Sequence, residues 1–145
     1  MIFLSYNDVE KRDIIMSHYL KPKFKNLNLE EMGVEKFGES CSDYLKFSYQ
    51  VENNTIKNLI FNGNGCAFFL ASTDLLCEKL NSMTIEQSQQ FIEVYEKFLQ
   101  GIEITEDEKT TLGKLAVFDN VKKHHNRLNC CTMLTKPLKN ELFNK

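Results

Sequence analysis

Tryptophan is absent from this chain of 145 residues, net charge is only -2, and no long apolar run occurs. Each lack excludes something. Without a positive surplus there is no field to attract nucleic acid, and the lysines gather only near 21–25 and 122–123, in short groups that read as solvated faces. Nothing reaches the roughly 18 consecutive apolar residues of a membrane span. The start, MIFLSYNDVEKRD, has four apolar residues and then acids, so it lacks the basic head and long apolar region of a secretory signal. The expectation is a cytoplasmic protein with no nucleic-acid partner and no membrane partner. There is also no repeat, linker or low-complexity segment, so residues 1–145 read as a single domain, long enough to bury roughly 70% of its extended surface. Eleven phenylalanines make up for the missing tryptophan and point to an aromatic core.

Local signals divide the chain into strands first and helices afterwards. Asn7 with Glu10 forms a capping-box start for a helix over 8–20, which Lys21-Pro22 stops. The next segment carries turn residues and one irregular strand. In DYLKFSYQV, Leu45, Phe47, Tyr49 and Val51 alternate with Lys46, Ser48 and Gln50, the period of a half-buried strand. Glu52, Asn53 and Asn54 form a turn, and TIKNLIF is its hairpin partner. In FNGNGCAFFLAS, Gly63 and Gly65 offer a tight backbone turn before a helix that starts at Cys66. Thr84 with Gln87 and Thr105 with Glu108 cap two more helices, the first ended by Gly101. The last helical pattern, CCTMLTKPLKNELF, is interrupted by Pro137, so that helix is expected to kink or restart near Thr135. This order predicts an α+β fold, a small three-stranded antiparallel sheet with helices packed on one face.

Five cysteines in a reducing compartment are metal ligands, reactive thiols or core residues rather than a disulfide framework. Cys41 lies two residues before Asp43 in GESCSD, and in extended chain those two side chains share a face. Read alone, that pair is a weak signal, and an exposed loop with a chance pairing is the plainer reading. Cys66 is the stronger case: it meets the free N–H groups and positive end of a helix, which favour thiolate, and a small buried residue tucked against the glycines fits it equally. Cys130 follows Arg127 in HHNRLNCC, at the expected start of the last helix, with a cation nearby. Cys41, Cys66 and Cys130 are 25 and then 64 residues apart, which matches no zinc-finger spacing. Only a fold that gathers three loops would make them a site. Three thiolates and a carboxylate would then suit tetrahedral zinc, with an iron cluster as the other candidate. Cys77 reads as core. Cys131 reads as a spectator beside Cys130, or more sharply as a resolving thiol or substitute ligand. His18, His124 and His125 read as surface or internally satisfied residues.

Taken together, these residues resemble the U-type iron–sulfur cluster assembly proteins: SufU, IscU and the N-terminal domain of NifU. DIIMSHYLKPKFKN is similar to the family's first helix and its basic-proline turn, GESCSD to its Cys-Gly-Asp loop, FNGNGCAFFLASTDLL to its Gly-x-Gly-Cys-Ala helix start, and RLNCCTML to the Arg-x-Lys-Cys-Ala-x-Leu segment of the SufU branch. The likeness runs in order over almost the whole chain. Asn129 stands where IscU-like proteins place a histidine, and the stretch between Cys66 and Cys130 is longer than theirs, so the resemblance is to SufU.

That resemblance implies a zinc site of Cys41, Asp43, Cys66 and Cys130. It implies a sulfurtransferase in which Cys41 accepts persulfide sulfur from a pyridoxal-phosphate-dependent cysteine desulfurase and passes it toward downstream iron–sulfur acceptor proteins. Asp43, Cys66 and Cys130 would anchor the metal, and Arg127 would support a thiolate or dock the partner. The alternatives it leaves are a scaffold that assembles and transfers a [2Fe–2S] cluster on the same residues, with iron in place of zinc, and a binding module whose zinc is structural.

Overall fold

The computed structural model describes residues 6–29, 33–38 and 43–143. Helix α1 (Asp8–Leu20) begins as its capping box requires: Asn7 accepts from the Glu10 N–H at 2.8 Å and the Glu10 carboxylate accepts from the Asn7 N–H at 3.0 Å. Beyond Pro22 the chain runs beside the sheet, where Asn26 N–H donates to the Phe61 carbonyl at 2.7 Å and Phe61 N–H to the Phe24 carbonyl at 3.0 Å. Strands β1 (Val34–Phe37), β2 (Tyr44–Glu52) and β3 (Thr55–Asn64) form an antiparallel sheet in the order β1-β2-β3. Asn53 and Asn54 turn the β2–β3 hairpin with φ of 52° and 61°, the left-handed pair that a two-residue hairpin favours.

Alternation in β2 is real for half its length. Leu45 and Phe47 are wholly buried, Tyr49 is half-buried, and Val51 is 46% exposed. The expected four-residue core face therefore ends early, because the pairing register shifts between Ser48 and Gln50 and a bulge re-aims the side chains beyond it. A second correction concerns the glycines. Gly63 is no turn: β3 continues through it, paired with Leu45, and neither Gly63 nor Gly65 has positive φ. A Cβ at Gly63 would overlap the Tyr44 carbonyl oxygen, so the residue permits close strand approach instead.

Helix α2 (Ala67–Leu80) is buried on nearly every side, against α1 and the face of the sheet carrying Phe47, Leu59 and Phe61. Helix α3 (Ile85–Leu99) opens with the Thr84–Gln87 box and ends in a Schellman motif, with Gly101 at φ 80°, Gly101 N–H on the Phe98 carbonyl at 3.1 Å and Ile102 N–H on the Lys97 carbonyl at 2.9 Å. Helix α4 (Glu106–Leu112) starts from the Thr105–Glu108 box and breaks at Gly113, φ 58°, into two short 3-10 segments, Gly113–Phe118 and Val121–Lys123. Then come α5 (His125–Cys131) and α6 (Thr135–Phe143). The restart at Thr135 puts Pro137 in the first turn of α6, where a missing N–H costs little. The fold is α+β, as expected.

His18 proves to be satisfied inside the protein. Its Nδ1 lies 2.7 Å from Asp74 Oδ2, and Asp74 Oδ1 accepts from the Phe24 N–H at 2.8 Å. Asp74 is fully buried, so one carboxylate ties α1, α2 and the segment after Pro22 together. Asp74→Ala would leave the imidazole and the Phe24 N–H without a buried partner. The expected loss is about 3 kcal/mol in urea-unfolding stability.

Candidate metal centre

Three elements deliver three donor atoms to one point. Asp43 precedes the first residue of β2. Cys66 is the N-cap of α2, reached from β3 through Gly65, and Cys130 stands in the last turn of α5. Asp43 Oδ1 accepts from the Cys66 N–H at 3.1 Å, while Oδ2 accepts from the Cys130 thiol at 3.1 Å and lies 3.9 Å from Cys66 Sγ. The two sulfurs are 3.3 Å apart. Asp43 and Cys130 are each 4% exposed, whereas Cys66 faces solvent, so the cluster has a closed back and an open front.

Gly65 makes room for this. A Cβ there would collide with Asp43 Oδ1 and sit 2.6 Å from Phe69 Cδ2, so the missing side chain is the space the carboxylate occupies. The sequence marks this glycine as special and assigns the wrong reason. Cys130 also departs from expectation: it ends a helix instead of starting one, because α5 closes at Thr132 and α6 is a separate helix. Cys41 lies outside the described residues. The described residues flanking it in sequence are joined by a Gly38 N–H to Asp43 carbonyl hydrogen bond of 2.8 Å.

The donors fit a tetrahedral metal. Bonds of about 2.3 Å to sulfur and about 2.0 Å to oxygen place ligand atoms roughly 3.5–3.8 Å apart. The observed separations of 3.1, 3.3 and 3.9 Å need shifts of only a few tenths of an ångström. Two sulfurs with one carboxylate oxygen also suit zinc or iron better than magnesium or calcium. The Cys66 N–H on Asp43 Oδ1 orients the carboxylate and leaves Oδ2 toward the sulfurs.

Charge is divided unequally between the thiols. The hydrogen bond with Cys130 and the N–H groups of Phe69 and Phe68 bring Cys66 from its ordinary 9.0 down to about 7, against the opposing pull of burial and the Asp43 charge. The same hydrogen bond with Cys66, then burial and Asp43, push Cys130 up. Two sulfurs this close share a proton, and Cys130 keeps it. A lowered folded-state value means that thiolate is gained as pH rises through about 7 instead of about 9. In chelator-treated protein, iodoacetamide labelling of Cys66 followed by peptide mass spectrometry should therefore show a midpoint near pH 7, with Cys130 labelled only after unfolding.

The remaining candidates lie apart. Cys77 is wholly buried and pushed up by burial, so it is core. Cys131 is wholly buried, with its carbonyl accepting from Tyr95 Oη at 2.7 Å. His125 Nε2 lies 3.5 Å from Asn129 Nδ2, and neither His124 nor His125 joins the donor cluster. Arg127 stacks its guanidinium 4.8 Å from the centre of the Phe68 ring. The residue that sequence reasoning missed is Asp74. A carboxylate in the middle of the apolar pattern FFLASTDLLCEKL was the signal available for it.

Comparison with known proteins agrees with this geometry. Residues 10–131 match the family model described as NifU-like N terminal domain. Over 138 residues the chain is 25% identical to the zinc-dependent sulfurtransferase SufU of Bacillus subtilis (strain 168), covering 95% of this chain and 92% of that protein. Over 132 residues it is 26% identical to the iron-sulfur cluster assembly scaffold protein IscU of Thermotoga maritima, covering 90% of each. The crystal structure of FiSufU, a SUF-system protein from Fervidobacterium islandicum AW-1, superposes with a TM-score of 0.75 at 26% identity over 92% of this chain and 93% of that one.

Proposed function

We propose, from the premise that the chain belongs to the NifU-like N-terminal domain family, that it is a zinc-bound sulfurtransferase of iron–sulfur cluster assembly. It accepts persulfide sulfur from a pyridoxal-phosphate-dependent cysteine desulfurase and hands it to iron–sulfur acceptor proteins in the cytoplasm. The observation that carries this reading is the convergence of Asp43, Cys66 and Cys130, whose donor atoms lie within 4.8 Å of one another. The likeness to a zinc-dependent sulfurtransferase supports it. Among the described residues no helix is long and apolar enough to cross a membrane.

Cys41 completes the donor set. Two residues of extended chain span at most about 7 Å, so Cys41 is tethered close to Asp43. Bound zinc supplies the positive charge that keeps the thiols deprotonated at neutral pH. Asp43, Cys66 and Cys130 hold their positions at the ends of three elements as anchors of the metal, and Cys41 is the group that reacts. Its thiolate attacks the outer sulfur of the desulfurase persulfide. That sulfur–sulfur bond breaks, the desulfurase cysteine leaves as thiolate, and Cys41 becomes the persulfide with no net oxidation. Arg127, on the Phe68 ring just beyond Cys66, lends positive potential to the approach.

The likeness to an IscU scaffold favours a second reading, in which the same residues ligate a [2Fe–2S] cluster. Asn129, beside Cys130, weighs against it, since the scaffold branch has a histidine ligand there. The test is desulfurase turnover, read as alanine and sulfide released, with metal counted in the same samples. The zinc form should raise turnover severalfold, and chelation should remove that gain along with thermal stability. A stable, transferable cluster from anaerobic reconstitution would move the assignment to the scaffold. If chelation only lowers the melting temperature and the zinc form stimulates no desulfurase, the zinc is structural.

A further inference from the structure

Beside the thiol cluster, between α1, the start of α2, the 3-10 segments and α5, lies a cavity of about 280 Å³. Its floor is apolar, built from Phe68, Phe118, Val117 and Val121. Its charged lining is Asp8, Lys11, Arg12 and Arg127. Lys11 is already engaged by Asp119 at 3.0 Å. Neither Arg12 nor Arg127 has a carboxylate partner among the described residues. Against Asp8, the two guanidiniums leave the cavity with one uncompensated positive charge.

A free guanidinium fork in a concave site binds carboxylate or phosphate; one net positive charge over an apolar floor favours a monoanionic carboxylate with a carbon chain over a doubly charged phosphate. The size limits the guest: drug-sized ligands occupy roughly 300–1,000 Å³, so this cavity takes something smaller. Its position decides the rest, because Ala67 and Phe68, the two residues after Cys66, are part of its wall. A small acid held there lies next to the open front of the site.

We propose that the cavity is a carboxylate-binding subsite that makes small thiols carrying a carboxylate better sulfur acceptors than neutral ones, beside the acceptor proteins. The inference rests on the sulfur-transfer reading above. The acceptor loses its proton to solvent, and its thiolate attacks the outer sulfur of the Cys41 persulfide. The Cys41–sulfur bond breaks, Cys41 leaves as thiolate, and the acceptor departs as its own persulfide, with no net change of oxidation state. Arg12 is the specificity-determining residue, and Arg127 assists it from the opposite wall.

The zinc-bound protein is loaded by a desulfurase, separated from it, and the Cys41 persulfide is verified by mass spectrometry. Persulfide formed on mercaptopropionate or mercaptoethanol is then timed, each rate divided by that thiol's rate against free cysteine persulfide to remove differences in nucleophilicity. The normalised ratio should favour the acid by about tenfold, with saturation, and fall to about one in Arg12→Gln. Arg12→Lys should keep part of the preference. Arg12 is exposed on α1, so these variants should fold. A ratio near one in the parent protein, or an unchanged ratio in Arg12→Gln, overturns the proposal. So does weaker loading by the desulfurase as the sole effect of Arg12→Gln, since the carboxylate then belongs to the donor protein. If Cys41 takes no persulfide at all, sulfur transfer itself has failed. The subsite is then judged by butyrate binding to the zinc form, where shifts of the Ala67 and Phe68 amides lost in Arg12→Gln support it and their absence refutes it.

Discussion

Cys41→Ala should return desulfurase turnover to its rate without this protein while the metal stays bound. The two halves of that result have different causes. Asp43, Cys66 and Cys130 already place three donor atoms within 4.8 Å of one another, just before β2, at the N-cap of α2 and in the last turn of α5, without Cys41. Three protein ligands plus water is a stable zinc arrangement, so affinity falls without being lost. Alanine, by contrast, has no sulfur to attack the persulfide, and the transfer route is removed outright. Metal content by plasma mass spectrometry and alanine release from the same preparation give both readings. Persistent stimulation would transfer the acceptor role to Cys66, the exposed thiol whose pKa lies at about 7. An intact enzyme response with no bound metal would instead separate the chemistry from zinc altogether.

What the sequence disclosed and what it hid follow from the range of the interactions. All three capping boxes, at Asn7, Thr84 and Thr105, were readable because cap and partner are three residues apart and need nothing from the rest of the fold. The restart of the last helix at Thr135 was readable for a similar reason, since proline acts on its own turn. Gly63 and Gly65 misled because a glycine announces only that a side chain is unwelcome. Here the reasons are the Tyr44 carbonyl and the Asp43 carboxylate, contributed by chain some 20 residues earlier. Tyr49 moves to the margin of the core and Val51 leaves it through a bulge, which depends on the partner strand. Asp74 and His18 were each legible as unusual, but their pairing spans 56 residues. The site showed the same division: the choice of Cys41, Cys66 and Cys130 as candidates came from ordered motifs, while the meeting of Asp43 with Cys66 and Cys130 came only from the fold.

Gly65→Ala is the smallest change expected to dismantle the site. Gly65 has no positive φ, so alanine meets no backbone penalty and the whole effect is steric. The new methyl group would overlap Asp43 Oδ1 and stand 2.6 Å from Phe69 Cδ2. Neither neighbour has room to retreat, since Asp43 is 4% exposed and Phe69 is wholly buried. The carboxylate must therefore leave, which takes one donor from the metal and the acceptor from the Cys66 N–H. Overpacking of this kind costs about 1–3 kcal/mol, visible as a lower urea midpoint. Loss of a ligand together with its orienting hydrogen bond should weaken zinc by at least about 10–100-fold in competition with a chromogenic chelator. Adding Asp43→Gly to Gly65→Ala separates the two effects. The clash with Asp43 disappears with the carboxylate and only the Phe69 contact remains, so the double variant should recover part of the lost stability while zinc affinity stays low. Additive losses of stability in that cycle would show that Gly65 is needed for a reason other than room for Asp43.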